Sequence, residues 1–230
     1  MRRLRGFGCL LLCVSQLWLG ALCVFAQESQ IIYRYVSNSG QPRIALTFDD
    51  GPHPRYTPMI LDILAEYEIP ATFFVVGSNA ETYPQLVRRI HAEGHEIGNH
   101  TYRHDHVSKL NQEELSKEIS LCNAVVERIT DQRPKLFRPP EGVCTGDLKT
   151  ICGASGMTIV LWSVDTRDWA HTPIREICQN VKENTANGSI ILMHDFIGKN
   201  SPTPGALRRL LPMLRELGFE FVTVSQLLEG

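Results

Sequence analysis

The sequence predicts an α/β fold, a distorted (β/α) barrel of about seven parallel strands, on three observations. Short apolar runs alternate with longer segments of helical period along the chain. Adjacent antiparallel strands would need no helices between them, so this alternation implies parallel strands and right-handed crossovers. The units occupy roughly 190 residues, short for a complete eight-fold barrel, which leaves an incomplete or distorted one. An open doubly wound sheet would show the same alternation and is the alternative.

In chain order, residues 1–26 read as a signal peptide. "MRRLR" is cationic, "GCLLLCVSQLWLGALCV" is apolar, and Val24, Phe25 and Ala26 offer a cleavage site before Gln27. The protein is therefore expected to be exported, to a periplasmic, extracellular or cell-envelope location. Because Gly6 to Phe25 is also close to membrane-spanning length, an uncleaved anchor is the rival reading, and a membrane is a partner only in that case. Residues 27–42 read as a polar, irregular lead-in. Residues 43–230 form one domain, since 43% of the chain is hydrophobic and neither a linker nor a repeat divides it. Its strands are "RIALTF", "ATFFVVG", "HEIGN", "KLFR", "MTIVLWSV", "SIILM" and "FEFVTV". Helical segments lie between them, and Gly94, Gly156, Gly188 and Gly218 each close one.

Arg2, Arg3 and Arg5, three of the 23 basic residues, leave with the leader, so 20 basic residues face 25 acidic ones, a net charge of about −5. That balance gives no support to a nucleic-acid partner. Removing Cys9, Cys13 and Cys23 leaves Cys122, Cys144, Cys152 and Cys178, an even number in a compartment that permits disulfides. Bridged cysteines and buried thiols both fit a domain of this size.

Five apolar runs end in polar clusters. They lead into Asp49, Asp50 and Gly51; His100 and His104; Arg138 and "PPEG"; Asp165 and Asp168; and His194 and Asp195. In a parallel βα fold all five lie at strand C-termini, the face where active sites are built. His100 and His104 are four apart, the spacing that puts two imidazoles on one side of a helical turn. On its own the pair fits a solvated loop as well as a metal site, and His95 and His106 read as solvated. Adjacent Asp49 and Asp50 could be an acidic turn. Catalytic zinc, however, takes three nitrogen or carboxylate ligands and leaves one position open, and His100, His104 and one aspartate would complete that set.

"TFDDGPH", "HTYRH", "FRPPEG", "DTRDW" and "ILMHD", in this order, resemble the five motifs of the polysaccharide deacetylase family, the NodB-homology domain of carbohydrate esterase family 4. The resemblance covers about residues 43 to 228, and the family's fold is a distorted (β/α) barrel. It implies that Asp50, His100 and His104 hold a divalent metal, with zinc favoured by two histidines and a carboxylate. By the same resemblance Asp49 is the general base, Arg138 orients it, His194 is the general acid and Asp168 its carboxylate partner. Asp165 is ambiguous between the site and its loop. Trp169 and Leu192 match positions that wall a pocket for the acetyl methyl group, although a bare tryptophan or leucine would read as core. Glu141 departs from the pattern, because an aromatic residue usually precedes the third motif's glycine. Its backbone N–H remains available for the oxyanion, while its carboxylate puts the substrate in question.

The implied activity is metal-dependent removal of N-acetyl groups from N-acetylglucosamine-containing poly- or oligosaccharides, of peptidoglycan or chitin type. An O-acetyl esterase acting on a xylan-like polymer is the nearest alternative. A non-catalytic glycan-binding relic is the other, but a relic is expected to lose a ligand, the base or the acid, and all are retained. A Cys144–Cys152 bridge is expected to tether the loop that carries Glu141, leaving Cys122 and Cys178 to pair or stay free.

Overall fold

The computed structural model describes residues 28–36 and 40–229, and the leader expected at residues 1–26 lies outside them. Its strands are β1 (Ile31–Ile32), β2 (Arg43–Asp49), β3 (Thr72–Val75), β4 (Glu96–Asn99), β5 (Leu136–Phe137), β6 (Thr158–Val160), β7 (Val164–Asp165), β8 (Ile190–His194) and β9 (Glu220–Phe221). They form one curled sheet in the order β1-β6-β5-β4-β3-β2-β8-β7, with β9 added to β2. Every strand-to-strand pairing among the described residues is parallel. The expected distorted barrel is therefore the observed fold.

Two details differ from the sequence reading, and both concern how the barrel closes. The lead-in is not irregular throughout. Ile31 and Ile32 join β6, and the chain beyond them bridges to the other side of the barrel through an antiparallel Arg34–Ser189 bridge and a Tyr35 N–H to Gly188 C=O bond of 3.0 Å. The run "MTIVLWSV" is likewise two strands, because the chain changes partners between them. Leu161 N–H donates to Ile32 C=O at 2.7 Å, and Ser163 N–H to Ile190 C=O at 3.0 Å.

Eight helices flank the described strands: α1 (Tyr56–Glu66), α2 (Gly77–Thr82), α3 (Pro84–Ala92), α4 (Gln112–Thr130), α5 (Gly146–Ala154), α6 (Ile174–Asn184), α7 (Thr203–Glu216) and α8 (Val224–Leu228). The segment "NAETYPQLVRRIHAEG" is broken into α2 and α3 at Pro84, which supplies no N–H to continue the first helix and is well placed to start the second. A capping box between Asn111 and Glu114 starts α4. Gly94, Gly156 and Gly218 take positive φ just past α3, α5 and α7, as expected. Gly188 does not cap α6. It lies four residues past Asn184, where an added Cβ would stand 2.2 Å from Tyr35 O, so its bareness admits the lead-in.

Period-two alternation along β2 builds the two sides of the barrel wall. Ile44, Leu46 and Phe48 pack outward with Ile60, Leu61, Leu64 and Leu207 of the helix layer, while Ala45 joins the inner cluster with Phe74, Val160 and Ile190. Phe48 stacks on Phe73 at 5.0 Å between ring centroids, and burial of each such side chain stabilises the wall by roughly 1.5–3 kcal/mol. The alternation leaves Thr47 and Asp49 on the inner side. All four described cysteines are free thiols, so the expected Cys144–Cys152 bridge is absent. Cys152 is buried in an apolar cluster with Leu148, Met157 and Ile159, and Cys144 packs against that cluster as a small apolar group.

Candidate active site

Parallel strands bring the five polar clusters to one end of the barrel. Register then fixes who meets whom: Asp49 is the Cα partner of His194 across the β2–β8 pair, and of Phe74 across β2–β3. Asp49 is buried, and Arg138 Nη1 donates to its Oδ1 at 2.8 Å. Arg138 follows β5 and is completely buried, which excludes a surface role. Its other donors are spent on the barrel frame: Nε on Val160 O at 3.1 Å, Nη2 on Leu161 O at 3.0 Å, and Nη1 again on Thr47 Oγ1 at 2.7 Å. The guanidinium also lies 4.1 Å from the Phe74 ring centroid. A planar fork held on so many sides can keep Asp49 in one orientation.

Asp50, His100 and His104 offer ligand atoms that all lie within 4.8 Å of one another, the one such cluster among the described residues. The histidines do not share a helical turn. They occupy a loop after β4 in which Thr101 and His104 take φ of 64° and 62°, and their ring centroids are 4.9 Å apart. Side chains of buried neighbours hold this unusual backbone. Asn99 Oδ1 accepts from Thr101 N–H at 2.8 Å, and Glu118 Oε2, from α4, accepts from Tyr102 and Arg103 N–H at 3.0 and 2.7 Å.

The donor set fits a divalent cation. His100 Nδ1–H donates to Arg138 O at 2.7 Å, which fixes the tautomer and leaves the Nε2 lone pair for a ligand. Asp50 Oδ1 is buried without an aligned hydrogen bond and faces Nε2 of His100 at 3.4 Å and of His104 at 3.1 Å. Three acceptors converging on one point are what a cation requires. Burial opposes the Asp50 charge, but the adjoining imidazoles prevail and hold its carboxyl well below the usual carboxylate range. Pairing with Asp50 raises the pKa of His104 against a smaller opposing effect of burial.

Opposite this cluster, His194 ends β8 with Nδ1 2.8 Å from Asp168 Oδ1. Asp168 is fully buried. Its Oδ1 also accepts from Trp169 N–H at 2.9 Å, and its Oδ2 from His194 N–H at 2.8 Å and Thr203 Oγ1–H at 2.7 Å. Burial disfavours the imidazolium, yet the hydrogen bond and charge of Asp168, reinforced by Asp49 and Asp50, push the His194 pKa up to about 9. A cation bound at Asp50 would offset that residue's share and leave Asp168 as the main cause.

A cavity of about 450 Å³ joins these groups, lined by Asp49, Asp50, His100, His104 and His194 with Glu141, Trp162, Asp165, Trp169 and Leu192. Leu192 is buried and Trp169 is half exposed at the rim. Asp165 does two things: it lines the cavity, and its Oδ1 accepts from Arg167 N–H at 2.8 Å within its loop. His106 is half exposed and lies 2.9 Å from the lining residue Glu141, whereas His95 is buried at the other end of β4, not solvated as its loop-like sequence suggested.

The sequence did not reveal several supporting residues. Trp162 sits inside an apolar run and reads as core. Thr47, Thr57 and Thr203 are hydroxyls with no pattern of their own. Asp195 was visible only as the neighbour of His194. It is buried, its N–H donates to Asp49 O at 3.1 Å, its Oδ2 accepts from Thr57 Oγ1 at 2.5 Å, and a Cβ on Gly51 would stand 2.0 Å from that oxygen. Asp195 therefore fills the space behind the Asp49–Asp50–Gly51 turn and fixes its position against β8. Burial pushes its carboxyl pKa up to about 7.

Comparison with known proteins agrees with this geometry. The polysaccharide deacetylase family model matches residues 37–160. A peptidoglycan-N-acetylglucosamine deacetylase of Bacillus cereus is 42% identical over 187 residues, covering 80% of this chain and 87% of that protein. A chitooligosaccharide deacetylase of Sinorhizobium fredii is 38% identical over 201 residues, covering 83% and 94%. The crystal structure of the Bc1960 peptidoglycan N-acetylglucosamine deacetylase superposes with a TM-score of 0.82 at 37% identity, over 86% of this chain and 92% of that one. The motifs, the barrel and these likenesses converge: the chain belongs to the polysaccharide deacetylase family.

Proposed function

We propose that the protein hydrolyses the acetamide of N-acetylglucosamine residues in a glycan, and that it does so outside the cytoplasm, as residues 1–26 suggest. The observation that carries the reading is the placement of a cation-ready cluster between two differently supported proton carriers, Asp49 and His194. The relatives' substrates, peptidoglycan and chito-oligosaccharide, share the N-acetylglucosamine unit.

Asp50, His100 and His104 would hold the metal, and their nitrogen and carboxylate donors favour zinc. When bound, such a cation polarises the acetyl carbonyl and makes water easier to deprotonate. Asp49 accepts the proton of the attacking water. Arg138 occupies its Oδ1, and its Oδ2 is turned toward the ligand cluster, 3.8 Å from His100 Nε2. The water oxygen bonds to the acetyl carbon, the backbone N–H of Glu141 is the donor proposed for the oxyanion, and Trp169 and Leu192 enclose the methyl group. His194 holds its proton on Nε2, because Nδ1–H is committed to Asp168. Transfer of that proton to the amide nitrogen lets the C–N bond break, releasing acetate and a free amine.

Incubation of the zinc-loaded protein with N-acetylated chito-oligosaccharides, a peptidoglycan digest and acetylated xylan, followed by mass spectrometry, tests this reading. Loss of 42 Da per sugar with a new primary amine is expected on the first two. Acetate release from xylan alone would replace it with the esterase reading, and no reaction on any of the three would favour a binding protein.

A further inference from the structure

The carboxylates around the pocket are of two kinds. Asp49 and Asp168 are buried, and each touches its own cation, Arg138 and His194, at 2.8 Å. Asp50 belongs to the ligand cluster. Glu141 and Asp165 line the same cavity and, among the described residues, neither pairs with a lysine or arginine; Glu141 meets the imidazole of His106 at 2.9 Å, and no lysine or arginine lines the cavity.

These two carboxylates are also held in place. Glu141 has a left-handed backbone, φ 57° and ψ 11°, and its Oε2 lies 2.9 Å from His106 Nδ1. That contact ties the loop after β5 to the loop after β4, which also carries His100 and His104. Asp165 is fastened by Arg167 N–H at 2.8 Å and by Trp169 Nε1–H at 3.5 Å. A glycan entering the pocket thus meets two positioned carboxylates in a lining without lysine or arginine. A neutral sugar chain can give them hydroxyl hydrogen bonds. A chain with a carboxylate beside the reacting sugar meets like charge, which costs affinity and slows encounter.

We propose that Glu141, positioned by His106 and assisted by Asp165, makes this protein select uncharged N-acetylglucosamine chains over strands carrying carboxylates next to the reacting sugar, such as those with free lactyl groups. This inference rests on the deacetylase reading and names the substrate class for the same site. Repulsion of the unwanted chain, not extra attraction for the wanted one, supplies the selectivity.

The test compares kcat/KM of the full-length, zinc-loaded protein on tetra-N-acetylchitotetraose and on a tetrasaccharide of alternating N-acetylglucosamine and N-acetylmuramic acid with free lactyl carboxylates. The wild type is expected to favour the neutral chain. Glu141→Gln should shrink the neutral-to-anionic ratio by roughly two- to fivefold, the range for half-exposed charges, and Glu141→Arg should shrink it further or invert it. Because the readout is a ratio, a general loss of activity in a variant cancels. Raising salt from about 0.02 M to about 0.5 M should compress the wild-type ratio more than that of Glu141→Gln, since screening removes the charge effect. An unchanged ratio across wild type, Glu141→Gln and Glu141→Arg overturns the inference while leaving deacetylation standing, as does a wild-type preference for the anionic chain. If the wild type deacetylates neither chain, the reaction assigned to the site falls and the inference with it.

Discussion

His194 and His95 sit at opposite ends of the same parallel sheet, both largely buried, and the protein drives their acidities in opposite directions. At the C-terminal end, Asp168 in direct contact overcomes burial and lifts His194 to about 9. At the N-terminal end, His95 precedes β4. Its Nδ1 accepts from Ala71 N–H at 3.2 Å, its Nε2 has no hydrogen-bond partner, and the nearest carboxylate, on Glu93, stands 4.0 Å away. Burial therefore lowers its pKa to about 4 and keeps the ring neutral. Burial alone makes a histidine inert, whereas a buried carboxylate in contact turns it into an acid. A groove of about 630 Å³ accompanies His95, larger than the cavity around His194, yet among the described residues it holds no cluster suited to a cation. Partnered charge, not cavity size, separates the working end from the quiet one.

The largest break in this contrast should come from the ligand cluster. His100→Ala removes one of the three proposed ligands and is expected to abolish metal retention and to lower activity by at least about 10³-fold. His106→Ala should keep the metal, because His106 lies outside the cluster. Metal analysis after gel filtration reads both, and equal metal content in the two variants would remove Asp50, His100 and His104 as the ligand set.

Arg138→Met comes next. It strands Asp49 as a buried, unpaired charge and frees Thr47 Oγ1 and two backbone carbonyls. A loss of roughly 3–5 kcal/mol in unfolding free energy is expected, with activity reduced even in the fraction that folds. Urea unfolding beside an activity assay checks this. A variant as stable as wild type would mean that the guanidinium is not the partner that makes the buried Asp49 tolerable.

How much of this contrast the sequence could show depends on the kind of signal. The strand-end clusters were legible because an apolar run that stops at Asp49, His100, Arg138 or His194 marks both the strand and its polar end. The four-residue spacing of His100 and His104 points to a helical turn, but their loop is irregular, because its left-handed residues are Thr101 and His104, and nothing in those side chains announces positive φ as glycine would. Trp162 and the threonines were missed for the opposite reason: their residue types are ordinary core and surface components until the barrel folds them together. The depth of Arg138 and the dryness of His95 are likewise tertiary properties. Both follow from which strands neighbour them, and local pattern does not encode that.

Asp168→Asn sharpens the comparison by giving His194 an environment closer to that of His95. Without the charge, burial acts with less opposition and the His194 pKa should fall from about 9 toward or below its ordinary value. The alkaline limb of kcat/KM should move down by about one to two pH units, while the acid limb stays roughly in place. Asn also replaces one of the two acceptor oxygens that serve Trp169, His194 and Thr203, so some loss at the optimum is expected as well. Asp165→Asn is the control and should leave the alkaline limb where it is. A superimposable Asp168→Asn profile would show that His194 is tuned by another group or is not the acid.

The smallest expected effect tests the quiet end, and it appears in stability. His95 has a pKa of about 4 in the folded protein, below the ordinary value of 6.5. Between those two values the unfolded chain binds a proton that the native state refuses. Stability therefore falls as pH drops through 6.5 toward 4, and this contribution is absent above neutrality. His194 has the opposite sign: its raised pKa contributes stability that is complete below about 6.5 and lost as pH rises through about 9. Replacing His95 by Gln keeps an acceptor for Ala71 N–H and removes the titration. The variant should be slightly less stable than wild type at pH 8, by under about 1 kcal/mol, because packing against Phe73 is lost. Relative to wild type it should gain roughly 1–3 kcal/mol as the pH approaches 4.5, which cancels that gap and makes the variant the more stable protein. Urea midpoints at pH 4.5, 5.5, 7 and 8 read the difference between the two proteins, which cancels the groups they share. A constant offset at all four pH values would mean that His95 takes up its proton in the folded protein as readily as in the unfolded one, and the two ends of the barrel would then differ in geometry but not in how they treat a buried imidazole.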